Sequence, residues 1–438
     1  VYTGNGNYDL DPNGKSIIIR SSEPNDPNIV ANTIIDPNGA GRGFYFRKVN
    51  NYEYPNYIIS GLTITNAKIA NGYGGGIFFD HCNPTIINCI ITNNSALHGG
   101  GVYSNNSSPQ FKNCTISNNS STGDGAGLEL WWTNAKLTNC IISNNQATGN
   151  GGGIDHYFDS NSILINCTIV NNSASSGGGI YCDNSELTIK NSILWANESN
   201  TGKQLALVNN ASVSVSYCDV QDGQAEIYAD AGSILTWDAN SNMNTDPCFA
   251  SFDPNDDPNS WDFHLQSAYG RWDPSAYTET DLVGDGFINL LDFAKFSNFW
   301  RKEAVSLPAD FDGSGIVDLF DLMIFSRNYL SFVSARWVFD EFSSPCIDTG
   351  DPNSDWNKEP WPNGKRINMG GYGGTRQASM WGNAADFDVS GSVNFVDFAE
   401  FSDKWLAQQN CIEDLNADGL VDFTDLGIFA ANWLWQEE

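Results

Sequence analysis

Groups of three small residues, nearly all glycine, return along this chain every 25 or 26 residues. A second column lies about a dozen residues beyond each group and pairs an asparagine with a cysteine or serine. The glycine groups begin at Gly74, Gly99, Gly125, Gly151 and Gly177, and the second column comprises Asn88-Cys89, Asn113-Cys114, Asn139-Cys140, Asn166-Cys167 and Asn191-Ser192. A fixed period of this kind indicates a repeat architecture, in which each unit buries its apolar face against its neighbours.

The residues between these columns predict short strands. They form Ile- and Val-rich runs of four to six residues, bounded by Gly and Asn-Asn pairs, without a helical period. Strands that turn sharply and stack at one coil per repeat make a mainly β fold, a parallel β-helix. The Asn-Asn turns are expected to stack as ladders. The residues expected to point inward are Ile77, Val102, Leu128, Ile154 and Ile180, with the thiols of Cys89, Cys114, Cys140 and Cys167 as small hydrophobes.

The net charge of the chain argues against some classes of function. The chain has 52 Asp and Glu against 21 Lys and Arg, a formal charge of −31. Nucleic acids and anionic membranes would repel such a chain, and no apolar run is long enough to span a bilayer. The composition and the initial Val1 favour a secreted or cell-surface protein that has lost an export segment. Export would permit a disulfide between Cys248 and Cys346, although sequence does not fix the connectivity.

Four acidic segments share the spacing of a twelve-residue cation-binding loop. Oxygen side chains fall at loop positions 1, 3, 5, 9 and 12, with glycine at position 6, which is how such a loop surrounds calcium. The first loop has Val283 in place of one ligand, so we expect it to be weak or empty and the chain to bind three or four calcium ions. The predicted ligands are Asp281, Asp285, Asn289 and Asp292; Asp310, Asp312, Ser314, Asp318 and Asp321; Asp386, Asp388, Ser390, Asn394 and Asp397; and Asp414, Asn416, Asp418, Asp422 and Asp425.

Each loop runs into a short amphipathic helix. Aromatic residues follow the last ligand at four and eight residues, which places each pair on one helical face. These faces are expected to form the core between two paired motifs rather than a docking surface. The residues are Phe296, Phe325, Phe401 and Phe429, followed by Trp300, Tyr329, Trp405 and Trp433.

Two such pairs, residues 281–330 and 386–435, resemble type I dockerin repeats, because each loop ends in Asp and leads into one helix. The resemblance implies calcium binding and attachment to a cohesin-like scaffold. Dockerins often carry Ser-Thr-type residues at loop positions 10 and 11, where this chain has Leu290-Leu291, Leu319-Phe320, Phe395-Val396 and Phe423-Thr424. The departure suggests an apolar contact, within the chain or with another copy.

The rest of the chain resembles right-handed β-helix proteins of planctomycete-type bacteria that carry a choice-of-anchor region. The resemblance covers roughly 1–275 and 340–380 and rests on the glycine units, Gly61-Leu62-Thr63-Ile64-Thr65, Arg271-Trp272-Asp273-Pro274 and Ser344-Pro345-Cys346-Ile347-Asp348. It implies a right-handed β-helix over 1–275, an inserted dockerin-like calcium module over 276–335, a returning segment over 336–380 and a C-terminal dockerin-like module over 381–438. The two ends of the insert should then lie close together.

The coils also carry a candidate site. Glu129 and Asp155 occupy the same position in neighbouring coils, which should stand them side by side, and their column is expected to face solvent. Paired carboxylates suit a retaining glycosidase, so both are candidate catalytic residues. The candidate carbohydrate-binding residues beside them are Trp131, Trp132, Tyr157 and His156. A protein interface or a calcium bridge between the carboxylates would fit as well, and a lyase base is missing because Lys136 falls in the next turn or sheet.

These features favour a secreted, calcium-binding structural protein. The sequence Val1-Tyr2-Thr3-Gly4 resembles part of a β-helix coil, and no capping helix precedes it. An uncapped β-helix end exposes strand edges, which can pair with another chain. The expected partner is a second copy, joined head to tail into a fibre, surface layer or matrix, or a cohesin-like scaffold. The alternatives are a dockerin-bearing polysaccharide lyase or glycoside hydrolase, and a carbohydrate-binding adhesin without turnover, both acting on extracellular polysaccharide.

Overall fold

A computed structural model describes residues 1–4, 6–48, 56–273, 282, 290–302, 309, 316–317, 322, 325, 337–407, 411–415 and 420–436. The chain divides into two compact units. The first comprises residues 1–263, 344–357 and 366–375, and the second comprises residues 264–343, 358–365 and 376–438.

The first unit is a parallel β-helix, as predicted from the repeats. Its strands fall into four sheets, and within each sheet a strand pairs in parallel with the strands one coil before and one coil after. Along the chain, each coil passes through sheets 1, 2, 3 and 4 in turn, and sheet 3 is present in only four coils of the described residues. Register between neighbouring coils therefore fixes which side chains are adjacent.

The strands have the following bounds. Sheet 1 contains Ile18–Arg20, Ile58–Ser60, Thr85–Ile87, Gln110–Lys112, Lys136–Thr138, Asn161–Ile165, Glu186–Lys190, Ser212–Ser216 and Ile234–Trp237. Sheet 2 contains Tyr2–Thr3, Ile34–Asp36, Thr63–Thr65, Ile90–Thr92, Thr115–Ser117, Ile141–Ser143, Thr168–Val170, Ile193–Trp195 and Asp219–Val220. Sheet 3 contains Lys68–Tyr73, Ser95–His98, Ser120–Ser121 and Gln146–Ala147. Sheet 4 contains Phe44–Arg47, Ile77–Asp80, Val102–Asn105, Leu128–Trp131, Ile154–Tyr157, Ile180–Asp183, Leu205–Val208 and Ile227–Ala229. Further elements are helix α1 (Pro27–Asn32), the 3-10 turns Gly223–Glu226 and Pro258–Ser260, and the strands Phe249–Ser251 and Asp262–Leu265.

Residues with left-handed backbone form the corners of the coils. The first glycine of each triplet has a positive φ, for example 63° at Gly151, and so does the asparagine of the Asn-Cys column, for example 54° at Asn139. Glycine enters this region without strain and asparagine with little. The repeated Gly and Asn are therefore explained by the chain having to turn there.

The residues predicted to point inward do lie in the core of the β-helix. Ile77, Val102, Leu128, Ile154 and Ile180 all belong to one buried core cluster. The cysteines of the Asn-Cys column are buried in the same cluster, and each thiol that forms a hydrogen bond donates to a backbone carbonyl, as Cys114 does to Ile86 O at 3.4 Å.

A buried amide ladder runs beside this core, as expected from the Asn-Asn turns. Asn145 Oδ1 accepts hydrogen bonds from the backbone N and from Nδ2 of Asn119, both at 3.0 Å, and Asn145 Nδ2 donates to Ile116 O at 2.9 Å. The same pattern links Asn94, Asn119, Asn145, Asn172 and Asn197. The ladder pairs polar groups that would be costly to bury alone.

Residues 344–357 and 366–375 pack on the β-helix through the asparagines of the Asn-Cys column. Asn166 Nδ2 donates to Gly373 O at 2.7 Å, and Asn191 Oδ1 accepts from Asp351 N at 2.7 Å. Lys190 also forms an ion pair with Asp351. These corner side chains therefore serve as docking points for a segment distant in sequence.

The second unit contains a short antiparallel pair and three helices in its described residues. The strands Arg271–Trp272 and Trp337–Val338 pair with Trp272 opposite Trp337, so the described residues that flank the predicted insert lie close together. The helices are α2 (Leu290–Ser297), α3 (Phe395–Asp403) and α4 (Phe423–Ala431). No helix in this part of the chain, or elsewhere in the described residues, is long and apolar enough to cross a membrane.

The two predicted pairs have the same stacking between their described phenylalanine rings. The rings of Phe401 and Phe429 stack with their centroids 5.4 Å apart, and those of Phe296 and Phe325 also stack at 5.4 Å. All four are 1–2% exposed, which confirms that the aromatic faces form cores. The predicted aromatic residue Tyr329 lies outside the described residues.

Candidate functional site

Glu129 and Asp155 stand side by side, as predicted. They are direct register partners on neighbouring strands of sheet 4. Leu128 and Leu130, on either side of Glu129, belong to the buried core, so the Glu129 side chain points away from it. The column continues with Tyr103 in the coil before and Tyr181 in the coil after.

The expectation that this acidic pair faces solvent is wrong. Glu129 is 2% exposed and Asp155 is 4% exposed, although both point out of the coil. The cover comes from the chain just before each strand. An added Cβ at Gly125 would lie only 2.5 Å from Glu129 Cβ, which shows how tightly the glycine corner folds over the carboxylate.

His98 and Asp124 are partly exposed and complete a charged cluster around the buried Glu129. His98 Nδ1 lies 3.1 Å from Glu129 Oε2 and 3.7 Å from Asp124 Oδ2. Hydrogen bonding to Glu129 raises the pKa of His98, whereas burial raises the pKa of Glu129. Burial, and then the charge of Glu129, raise the pKa of Asp155 well above its usual range. The cluster therefore contains more carboxylates than imidazoles, and two of its carboxylates, those of Glu129 and Asp155, are buried.

Sequence reasoning missed His98 and Asp124. His98 was not among the candidate site residues, but it is the direct partner of Glu129. Both missed residues immediately precede a glycine triplet, in a column that also holds Tyr73, Asn150 and Ser176. Aligning that column would have placed an imidazole and a carboxylate at one corner.

His156 does not belong to the outer face, contrary to expectation. Its ring is fully buried, with Nε2 2.8 Å from Ser162 Oγ and Nδ1 3.7 Å from Cys182 Sγ. Burial lowers its pKa to about 3, so the ring stays neutral. It follows Asp155 directly, and strand alternation turns it inward.

The other predicted aromatic residues form an outer cluster. The ring of Trp131 lies 4.8 Å from that of Tyr157 and 5.6 Å from that of Trp132, and Trp132 also stacks on Phe158 at 5.9 Å. Trp132 is 50% exposed. Trp132 and Phe158 have φ values of 47° and 44°, which bulky residues rarely adopt. Phe158 was not singled out from the sequence.

The loop at Asp386 forms a candidate metal centre. The carboxylates of Asp386, Asp388 and Asp397 offer ligand atoms within 4.8 Å of one another. Asp397 is fixed at the start of α3, where its Oδ2 accepts from Asn394 N at 2.8 Å in a capping box. Ser390 N donates to both Asp386 Oδ1 and Asp388 Oδ1 at 3.0 Å.

Burial raises the pKa of Asp386, to which Asp388 and Asp397 also contribute. Three crowded carboxylates suit a hard cation, and their oxygen-only donor set fits calcium. Of the other predicted ligands of this loop, Ser390 Oγ lies 3.2 Å from Ser392 O, and the Asn394 side chain accepts from Val396 N.

The last loop is partly described. Asp422 and Asp425 form the same capping box at the start of α4, and Asp414 is nearly buried. Asp292, the last ligand of the first loop, is fully buried. The remaining predicted ligands lie outside the described residues: Asp281, Asp285, Asn289, Asp310, Asp312, Ser314, Asp318, Asp321, Asn416 and Asp418.

The predicted disulfide between Cys248 and Cys346 is not formed. Both are free thiols. Cys346 Sγ donates instead to Asp219 Oδ2 at 3.1 Å, in a buried position. Spacing in the sequence could not reveal this acceptor.

Comparison with known proteins agrees with the coil architecture. The family model of the right-handed β-helix region matches residues 7–149 and 98–248. Searches of curated protein sequences and of solved structures found no match. Because the matched residues span more than half of the chain and include the stacked coils, the chain belongs to the right-handed β-helix family.

Proposed function

We propose that this protein is a secreted β-helix scaffold whose dockerin-like modules fold around calcium and join it to other copies of itself. The observation that carries this proposal is the convergence of Asp386, Asp388 and Asp397 at the start of a helix. The assembly would be an extracellular fibre, surface layer or matrix.

The paired loops support the dockerin-like assignment. Helices α2, α3 and α4 each begin at position 10 of an acidic loop. Val421, at position 8 of the last loop, donates to Ala407 O at 3.2 Å and accepts from Leu406 N at 2.9 Å. Val317 makes the same exchange with Lys302 and Arg301, at 3.1 and 2.8 Å. Both modules therefore use one pairing scheme.

Calcium would be held by Asp386, Asp388 and Asp397, with Ser390 and Asn394 completing the oxygen donors of that loop. The ion would neutralise carboxylates that repel one another at short range. Removing it should loosen the modules, whereas the β-helix should survive, since its core is a cluster of apolar side chains and thiols.

Exposed apolar residues at the helix starts supply the proposed contact. Phe395 and Phe423 are each 78% exposed, and Leu290 is 69% exposed. These residues occupy loop position 10, one of the positions by which dockerins recognise their cohesin partner. Because a net charge of −31 makes copies repel, association should require calcium both to order these residues and to reduce the charge.

Sedimentation velocity and negative-stain electron microscopy test this proposal. We expect regular assemblies with calcium, dispersed particles after chelation, and loss of assembly in Phe395→Ser/Phe423→Ser. The matched control is Ile163→Ser, which removes a 40% exposed apolar residue from sheet 1 and should leave assembly intact. Monomers at high concentration with calcium would contradict self-association and favour a separate cohesin-like partner.

The aromatic cluster favours a second candidate function, glycan binding without turnover. Trp131, Trp132, Tyr157 and Phe158 offer ring faces on which sugars could stack, whereas the buried Glu129 and Asp155 are poorly placed to reach a glycosidic bond. Glycan-array binding that falls in Trp131→Ala, with no products formed, would support an adhesin. Products lost in Glu129→Gln or Asp155→Asn would instead support a polysaccharide lyase or glycoside hydrolase.

A further inference from the structure

We propose that His98, Asp124, Glu129 and Asp155 form a divalent-cation site with mixed nitrogen and oxygen ligands on the outer side of the β-helix. This site would be additional to the acidic loops, and the proposal does not depend on the assembly function. It would take an ion such as Mn²⁺ or Zn²⁺.

The first argument is an unbalanced charge. The carboxylates of Asp124 and Glu129 both lie beside the His98 imidazole, and Asp155 is the register partner of Glu129 on strands that stand about 4.8 Å apart. Glu129 and Asp155 are almost fully buried. Burying carboxylates so close together is costly unless protons or a cation balance them.

The second argument is an orphaned oxygen. Asp155 Oδ1 is buried and has no hydrogen-bond partner among the described residues. Buried carboxylate oxygens normally accept hydrogen bonds or bind metal ions, because an isolated one forfeits its hydration. The negative charges that act on Asp155 are those of Glu129, Asp124 and Asp183, with no positive group among them.

The third argument is the approach of possible ligand atoms around His98. Its Nδ1 lies 3.1 Å from Glu129 Oε2 and 3.7 Å from Asp124 Oδ2. Two ligands that bind one metal at about 2.0–2.2 Å lie roughly 3.3–3.6 Å apart when the site is tetrahedral. The nitrogen and either oxygen are therefore close to the separation that a shared ion requires.

Binding would still need side-chain rotation. In the described residues, only the triad around Asp386 has three ligand atoms all within 4.8 Å of one another. The carboxylates around His98 must therefore turn inward to share an ion. Asp124 is already anchored, since its Oδ1 accepts from Asn150 N at 2.7 Å, which leaves Oδ2 for the metal.

The donor set selects the ion. Imidazole with carboxylates suits Zn²⁺ and also occurs with Mn²⁺, whereas calcium prefers oxygen ligands alone. The acidic loops contain no histidine, and the whole sequence has only four: His81, His98, His156 and His264. A nitrogen-bound ion thus reports on this cluster and not on the loops.

Electron spin echo envelope modulation of the full chain, stripped of metal and titrated with Mn²⁺ alone, tests the site. We expect modulation from a directly bound imidazole nitrogen. His98→Gln should abolish it, and Asp155→Asn should abolish it or weaken Mn²⁺ binding at this site at least tenfold. The control His81→Gln alters an exposed histidine–carboxylate contact and should leave the signal unchanged. Asp397→Asn should lower the number of ions bound at oxygen-only sites without removing the nitrogen signal.

Two results would overturn the proposal. One is Mn²⁺ bound with no nitrogen coupling in the parent chain, which would mean that protons alone balance the buried carboxylates. The other is an Asp155→Asn variant that folds, as judged by circular dichroism, and gives the same nitrogen signal and affinity as the parent.

Discussion

The thiol of Cys346 donates a hydrogen bond to Asp219 Oδ2 at 3.1 Å across 127 residues of sequence. Both residues are fully buried, and Asp219 Oδ1 accepts from Thr245 N at 3.1 Å. Burial raises the pKa of Asp219 to about 6, against the ordinary value of 3.8, although the Cys346 hydrogen bond opposes the rise. A titrating carboxyl group therefore holds the returning segment on the β-helix.

This carboxyl group should make the β-helix less stable as the pH rises. The folded state holds the Asp219 proton more tightly than the unfolded chain, so its contribution is full below about pH 4 and is lost as the pH rises through about 6. The difference corresponds to about 3 kcal/mol. Asp219→Asn should remove this decline. Urea unfolding between pH 4 and 7.5 measures how the free energy of unfolding declines with pH. The control is Asp222→Asn, at an exposed position. Equal pH slopes in parent and Asp219→Asn would contradict the prediction.

The amide ladder should be a main determinant of coil stability. Asn145→Ala removes hydrogen bonds to Asn119, Asn172 and Ile116 O and leaves buried donors without acceptors. We expect the free energy of unfolding to fall by about 2–4 kcal/mol. Gln146→Ala, an exposed neighbour in the same coil, should change it little. Comparable losses in the two variants would mean that the ladder adds nothing specific.

The third glycine of each triplet should tolerate no side chain. A Cβ at Gly153 would lie 2.6 Å from Gly179 O and 3.2 Å from Asn172 Nδ2, so Gly153→Ala forces the stacked coils apart. We expect the free energy of unfolding of the β-helix to fall by about 1–3 kcal/mol, as at other overpacked sites. Gly427→Ala is the control, because nothing lies within 4 Å of its added Cβ. The thermal unfolding temperature of the β-helix should fall in Gly153→Ala and stay unchanged in Gly427→Ala.

The repeat period made much of the fold predictable. One coil per repeat fixes neighbours in the next coil, which is why the inward position of Leu128 and the pairing of Glu129 with Asp155 both follow from aligned glycines. Aligning the glycines could not predict which of the side chains that point out of the coil are buried. Part of the cover over Glu129 comes from His98, at the end of the short strand Ser95–His98, whose sequence lacks an Ile- and Val-rich run.

Contacts between distant segments were beyond sequence reasoning for a different reason. Cys248 and Cys346 looked alike as possible disulfide partners, but side-chain direction depends on how the returning segment lies on the β-helix. In the acidic loops, by contrast, local spacing was sufficient to bring Asp386, Asp388 and Asp397 together, since one turn and one helix start position all three.

The corner at Trp132 provides a test of function against stability. Its φ of 47° is a left-handed value, and the same corner holds Asn106 in the preceding coil and Asn184 two coils further on. Holding a bulky residue there costs about 1–2 kcal/mol, since asparagine suits this backbone better. Trp132→Asn removes that strain but also removes the ring contacts with Trp131 and Phe158. Because Trp132 is half exposed, we expect the relief to exceed the lost packing.

The free energy of unfolding should therefore rise by about 1 kcal/mol in Trp132→Asn, while binding to any glycan recognised by the parent falls. Chemical unfolding and glycan-array binding measure the two effects separately. Asn106→Asp, at the same corner in the preceding coil, serves as the control for a change of side chain without a change of ring surface, because aspartate also adopts left-handed backbone. A variant that loses both stability and binding would show that Trp132 is held there by its packing rather than by a ligand.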